Sequence, residues 1–335
     1  MPASGSQWLA FSVPSIHSLA ALYMATLKTD VFSSIAQSER FSYSAITRRL
    51  DFSWPQEKRL AVYIGFNLEH FAFGEGLGAA IGPASPQPDV LNYSWREYGN
   101  RVGAWRCLAL FDQLGLPTAA LINTALITHC PELLDAVIRR GDELVGHGHS
   151  NAFRQSDYSP ALERELLAGC YQKIEALQGK PPSGWLSPWV AETTVTTDLL
   201  AETGYAYSLN WAHDDQPVAM KTLSGKTLWS IPYPQELNDI PMIMGRQMDA
   251  CDFADMIIDN FDEMLLQSKL QSLVMGIALH PYIVGQPYRL RHLRRALKHI
   301  VDVAASGEVW ITTPGQICNF AQTFLLGKST DETSK

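Results

Sequence analysis

No apolar run in the sequence approaches the roughly 20 residues that a membrane-spanning helix needs. No membrane partner is expected. Cysteine is scarce and shows no Cys-x-x-Cys spacing: Cys107, Cys130, Cys170, Cys251 and Cys318 are odd in number. That excludes a fully paired disulfide framework and a zinc knuckle, and it fits reduced thiols in a cytoplasmic protein. Positive charge is in the minority, 26 Lys and Arg against 34 Asp and Glu, for a net charge of -8. No basic patch is interleaved with aromatics, so no nucleic-acid partner is expected. There is no internal repeat and no low-complexity linker. The moderately apolar stretch from Trp8 to Thr26 is interrupted by Pro14 and His17, and no basic residue precedes it. It does not read as a secretory signal. Residues 1–40 are expected to form an N-terminal extension outside the catalytic unit, and 326–335 a polar tail.

What is present is a core. The chain has 335 residues, 46% of them hydrophobic and 18% charged, enough to bury a large interior. Beyond Asp51 strand-like and helix-like segments alternate. Strands are predicted at 60–67, 117–123, 143–147, 184–187, 205–210, 228–233, 272–279 and 308–313. Helical spacing of apolar residues appears at 95–114, 131–140, 159–177, 194–203, 253–270 and 288–305. Strictly alternating units imply a mostly parallel sheet. Seven or eight βα units in this length suit an α/β fold of the TIM-like (β/α) barrel type over residues 41–325.

Barrels of this type keep their chemistry at the C-terminal ends of the strands. Three strand ends here carry polar clusters. The run 272–279 ends in His280-Pro281, 143–146 ends in His147-Gly148-His149-Ser150-Asn151, and 60–66 ends in Asn67-Leu68-Glu69-His70. A single such histidine is as often structural as functional. Three converging ends point to one shared site. The loop 71–92, rich in Gly and Pro, follows the first of these strands and is expected to wall or cover a pocket. Asp214 and Asp215 follow the strand 205–210. Asp215 is the candidate to hydrogen-bond His280 and fix its tautomer, the alternative being a capped turn before Pro217. Trp185 and Trp211 are candidate aromatic pocket walls, against the base rate that such residues are core. Glu236, Asn238 and Asp239, after the strand 228–233, are candidates to line the pocket and set substrate choice.

Taken in order, Asn67-Leu68-Glu69-His70, Glu97-Tyr98-Gly99-Asn100-Arg101-Val102-Gly103, Gly146-His147-Gly148, Gly184-Trp185-Leu186-Ser187-Pro188, Asp214-Asp215-Gln216-Pro217 and Leu279-His280-Pro281 resemble the polysaccharide deacetylase (NodB-homology) superfamily. Within it the chain looks most similar to the branch of cofactor-independent allantoinase and cyclic imide hydrolases. The resemblance implies a distorted (β/α) barrel and hydrolysis of a non-peptide carbon–nitrogen bond. It also makes the departures informative. The family's metal-dependent deacetylases carry two aspartates in the first motif, and here Asn67 and Glu69 stand in those places. A pair of histidines four apart is expected in the second motif, and here His147 is followed by Asn151. The third motif's arginine is replaced by Leu186.

Two mechanisms follow from the resemblance. In one, Glu69, His147 and Asn151 (or His149) hold one divalent ion, zinc by ligand type, which polarises a carbonyl and activates water. In the other, which is favoured, no metal takes part. Glu69 is then the general base or positions water, and His147 and Asn151 donate hydrogen bonds to the developing oxyanion. His280 protonates the leaving nitrogen in both. The expected substrate is a small amide, cyclic amide or cyclic imide. Alternative readings are a metal-dependent N-deacetylase of an acetylated sugar and a non-catalytic barrel descended from one. The allantoinase-like relatives also imply a homo-oligomer.

Overall fold

The computed structural model describes residues 38–77, 81–82 and 86–325. The expectations for most of the 1–40 extension and for the 326–335 tail lie outside the described residues. The chain divides into two units, Met1–Ser42 and Tyr43–Lys335, and the sheet, its helices and the candidate site belong to the second.

Nine strands form one curled sheet: β1 (Leu60–Leu68), β2 (Ala119–Ile122), β3 (Glu143–Gly146), β4 (Gly184–Trp185), β5 (Tyr207–Ser208), β6 (Val218–Met220), β7 (Leu228–Ser230), β8 (Leu273–Leu279) and β9 (Val309–Ile311). The spatial order is β6-β7-β5-β4-β3-β2-β1-β8, with β9 paired to the first three residues of β1. All pairings are parallel except β6 with β7. The helices between them are α1 (Val90–Tyr98), α2 (Ala104–Leu114), α3 (Leu126–His129), α4 (Pro131–Arg140), α5 (Pro160–Gln178), α6 (Thr196–Thr203), α7 (Ala250–Gln267), α8 (Pro281–Val284), α9 (Pro287–Ala304) and α10 (Pro314–Phe320). This is the distorted (β/α) barrel. No helix among the described residues is long and apolar enough to cross a membrane.

β1 and β8 are buried along their whole length because both faces are covered. Their side chains alternate between two cores. Leu60, Val62, Ile64 and Phe66 of β1, with Leu273, Met275, Ile277 and Leu279 of β8, pack with the helices. Ala61 and Tyr63, with Val274 and Ala278, pack inside the barrel with Leu121, Val145, Tyr207 and Trp229. Two-residue periodicity then carries the inward face past each strand tip. Glu69 follows Ala61 and Tyr63 in parity, His280 follows Val274 and Ala278, and His147 follows Val145.

The sheet does not close by strand pairing. Between β7 and β8 lies the segment 231–239, which makes the remaining contacts. Ala278 N–H donates to Leu237 O at 2.9 Å, and Tyr63 Oη donates to Pro232 O at 2.5 Å. Asn238 forms a single parallel bridge to Ala278.

α1 and α2 are joined by a π turn, Gly99–Gly103. Its glycines let the helix press onto the segment that follows β8. A Cβ on Gly99 would lie 2.9 Å from Tyr282 N, and one on Gly103 would lie 2.1 Å from Pro281 O. Both are backbone atoms, so no side-chain movement relieves the clash.

Candidate active site

The register brings the strand tips level. Phe66 pairs with Leu279, Leu68 with Ile122, and Ile122 with Gly146. Glu69, Asn123, His147 and His280 follow these tips, at the C-terminal end of the barrel. Glu69 is buried, with Oε1 3.5 Å from His147 Nε2 and 3.6 Å from His280 Nε2. Its Oε2 accepts from Arg96 Nη1 at 3.2 Å. Burial alone would raise the Glu69 carboxyl, but His280 and Arg96 outweigh it and hold the group well below the usual carboxylate range.

His280 is fixed from behind by Asp239. One carboxylate oxygen lies 2.6 Å from its Nδ1, and the other accepts its backbone N–H at 2.8 Å. Burial works against the imidazolium, yet the carboxylates of Asp239 and Glu69 prevail and push His280 up to about 9. The ring is therefore protonated at neutral pH, with Nε2–H on the Glu69 side.

His147 is set the opposite way. Its Nδ1 lies 2.8 Å from Leu186 O, which can only accept, so Nδ1 carries the hydrogen. Nε2 is left as an acceptor, with the Asn151 amide donating to it at 3.3 Å. The orientation of Asn151 is dictated by its neighbours. His70 N–H donates to Asn123 Oδ1 at 2.8 Å, which turns Asn123 Nδ2 toward His147 O and Asn151 Oδ1. Asn151 Nδ2 then faces Glu69 Oε1, at 2.7 Å.

That orientation bears on the metal. At the place of a third ligand Asn151 presents N–H donors, and its oxygen is engaged by Asn123. The imidazolium of His280 has no lone pair to offer. His149, an alternative ligand by sequence, is exposed, with Nδ1 on Thr124 Oγ1. It leaves the site because Gly148 takes φ 72°, where a Cβ would meet Pro188 at 2.5 Å. Among the described residues no three His, Cys, Asp or Glu side chains gather as a metal would require. Catalytic zinc takes three protein ligands and a water, and the residues present do not fit it.

Glu69, His147 and His280 line a cavity of about 470 Å³ together with Asn67, Asn151 and Asn238. Asn67 Nδ2 lies 3.0 Å from the Tyr233 hydroxyl and 3.3 Å from Leu279 O. Asn238 Oδ1 accepts the Ile240 N–H. Four sequence candidates lie elsewhere. Asp215 is exposed, and its backbone oxygen accepts from Val274 N–H at the start of β8. Six residues of strand, about 20 Å, separate that level from His280. The segment leads into antiparallel β6 rather than into a βα loop, and the role expected of Asp215 falls to Asp239. Trp185 is fully buried, bonded through Nε1 to Gln155 and Ser187 and packed edge-on against Tyr205, so it is core. Trp211 bonds to Glu192 outside the cavity lining. Glu236 is exposed, and its neighbour Gln235 takes the lining position instead.

Among the cavity-lining residues that the sequence does not single out are Arg96, Tyr233 and Trp189. Arg96 is buried, with its guanidinium carbon 3.6 Å from the centre of the Phe71 ring and 4.6 Å from that of Tyr282. Tyr233 is buried, and desolvation pushes its phenol above the usual tyrosine range, reinforced by Glu69 and Asp239. Trp189 donates from Nε1 to Asn151 O at 3.0 Å. Arg96 stands beside the Gly99–Gly103 pair, the one local signal that could have singled it out.

No family model matches the chain. Among curated proteins it is 23% identical over 284 residues to a peptidoglycan deacetylase of Helicobacter pylori, covering 75% of this chain and 93% of the relative. Among solved structures it superposes on a probable polysaccharide deacetylase from Pseudomonas aeruginosa with a TM-score of 0.71 and 24% identity, over 81% and 93% of the two chains. It superposes on Puue allantoinase with a TM-score of 0.74 and 24% identity, over 86% and 99%. The fold and the strand-end site define a deacetylase-type (β/α) barrel. By sequence likeness and motif order the chain is similar to proteins of the polysaccharide deacetylase (NodB-homology) superfamily.

Proposed function

We propose that the chain hydrolyses a non-peptide carbon–nitrogen bond of a small amide, cyclic amide or cyclic imide without a metal. The observation carrying this reading is the opposite setting of two imidazoles around one carboxylate. The His280 imidazolium, held by Asp239, faces Glu69, and His147, with its hydrogen directed to Leu186 O from Nδ1, turns Nε2 toward the same carboxylate. One ring set to give a proton and one set to take it suit an acid and a base.

In the proposed reaction water lies against Glu69 and His147. Its oxygen attacks the substrate carbonyl carbon as its proton passes to His147 Nε2. Glu69, too weakly basic to be the final acceptor, orients the water and balances the charge forming on His147. Asn151 is tied to the carboxylate, one N–H being held by Glu69 at 2.7 Å. Tyr233 donates the hydrogen bond to the oxyanion: its phenol keeps its proton, lines the cavity and has only a long 3.3 Å bond to Asn67 Oδ1 to exchange. When the C–N bond breaks, His280 Nε2 protonates the leaving nitrogen, and a proton then returns from His147 to His280.

N-deacetylation of an acetylated sugar is the second reading. It makes the same bond change, and the named curated relative is a deacetylase. Turnover of a cyclic imide and of an N-acetyl sugar, before and after exhaustive chelation, tests both. The first reading expects imide hydrolysis that survives chelation. Sugar deacetylation abolished by chelation and restored by zinc would overturn it.

A further inference from the structure

We infer that the substrate carries a carboxylate, received at the mouth of the cavity by Arg154 stacked on Trp189. This rests on the hydrolase reading above and names its substrate class. Three arrangements carry it. The first is a charge balance within the cavity. Arg96 is paired with Glu69, and His280 is held by Asp239. Arg154 is an exposed residue at the rim of the same cavity, and its guanidinium has no hydrogen-bond or ion-pair partner among the described residues. One permanent cation is therefore left uncompensated in a chain whose net charge is -8. The overall charge repels an anion, and this one local cation is what would hold it.

The second is the way Arg154 is placed. Its guanidinium carbon lies 5.5 Å from the centre of the Trp189 ring. Trp189 and Val190 both take left-handed φ, 64° and 52°. For a β-branched valine this is a true outlier, and such strain persists only where the surroundings over-determine it. Here Val190 N–H is tied to Ser187 O at 2.8 Å, and Trp189 Nε1 to Asn151 O at 3.0 Å. The chain keeps a strained wall that presents one indole face to one guanidinium.

The third is reach. Trp189 touches the backbone of Asn151, whose amide lies 2.7 Å from Glu69. The cation and the reacting groups thus sit on the two sides of a single residue, within the span of a small molecule. Leu77, Ile81, Ile240 and Met244 supply apolar lining for a short spacer. The class that fits is a short carbon chain or ring, with an amide or imide at one end and a carboxylate at the other.

The test uses an isosteric pair, succinamate and succinamide, which differ in one charged group. Binding of each to the full chain is measured by calorimetry, with R154Q and R154K beside the parent. The parent is expected to bind succinamate at least about tenfold more tightly, as a hydrogen bond to a charged group would give. R154Q should abolish the preference, and R154K should keep part of it, having the charge without the flat stacking surface. Equal binding of the two probes, a preference intact in R154Q, or no binding of either at millimolar concentration would overturn the inference. Kinetics on a carboxylate-bearing succinimide and its carboxamide analogue separate this idea from the hydrolase reading. Turnover of both with equal KM sinks the carboxylate site and leaves the hydrolase. An Arg154-dependent binding preference with no turnover of either does the reverse.

Discussion

Replacing Asp239 by Asn should remove the acid from the site while leaving His280 in place. The carboxylate does two things: it accepts from Nδ1 and from the backbone N–H of His280. Asn has one oxygen and can accept only one of these, so its NH₂ must face a donor. With Asp239 neutralised, burial draws the imidazole down, and Glu69 alone opposes it. If His280 falls from about 9 to the ordinary 6.5 or below, its protonated fraction at pH 8 drops from about nine-tenths to about 3%. The loss in kcat at pH 8 is then roughly thirtyfold from protonation alone, within the range for a general acid, and it shrinks toward pH 6. The assay is kcat against pH from 6 to 10. The parent should lose activity as pH rises through about 9, and in D239N that limb should move down by about two and a half pH units or more. Stability follows the same sign. A raised imidazole stabilises the fold fully below about 6.5 and progressively less as pH rises through about 9, and a move of this size is worth about 3 kcal/mol. Denaturant titrations at pH 6 and 10 should show this decline in the parent and not in D239N. A parent profile with no descending limb near 9, or a D239N limb that has not moved, would refute the reasoning.

Tyr233→Phe should lower kcat by about 10²–10³-fold with little change in KM, the usual effect of losing one oxyanion donor, and unchanged kcat would remove Tyr233 from that role. Gly103→Ala should cost about 1–3 kcal/mol by overpacking against Pro281 O, read by thermal melting, and should lower kcat as well because Pro281 adjoins His280. Asn151→His should create a third ligand beside Glu69 and His147, so elemental analysis after purification should find zinc in the variant near one equivalent and well below that in the parent; stoichiometric zinc in the parent would falsify the donor-set argument.

The strands were legible because burial on both faces leaves a continuous apolar run, as in Leu60–Leu68 and Leu273–Leu279. The three tips were legible for the same reason, since each run stops at a polar residue. β6 was missed because three residues of antiparallel edge, Val218–Met220, carry almost no pattern. That omission misplaced Asp215: with strict alternation assumed, any loop after a strand was taken to return to the same barrel end. Trp185 was taken for a pocket wall, and Trp189 was not singled out, for a related reason. A pocket wall and a core tryptophan look alike in sequence, and the positive φ that turns Trp189 to the cavity leaves no residue signature such as glycine. Asn151 was seen as a lost ligand, but which end of its amide faces Glu69 depends on His70 and Asn123 and could be read only in three dimensions.

The seam between β7 and β8 has a consequence for how the molecule fails. Tyr233, Asn238 and Asp239 all belong to the stretch that bridges this gap, where a few isolated bonds replace a ladder. Such a stretch opens at lower free energy than the strands beside it. Each opening withdraws the partner of His280 and the phenol together, leaving the rest of the sheet intact. Under mild denaturation the molecule should go silent in two ranks: chemistry disappears first, while far-ultraviolet ellipticity still reports a folded barrel. Proton transfer and latch are one piece of chain, so the site exists only for as long as the barrel is shut.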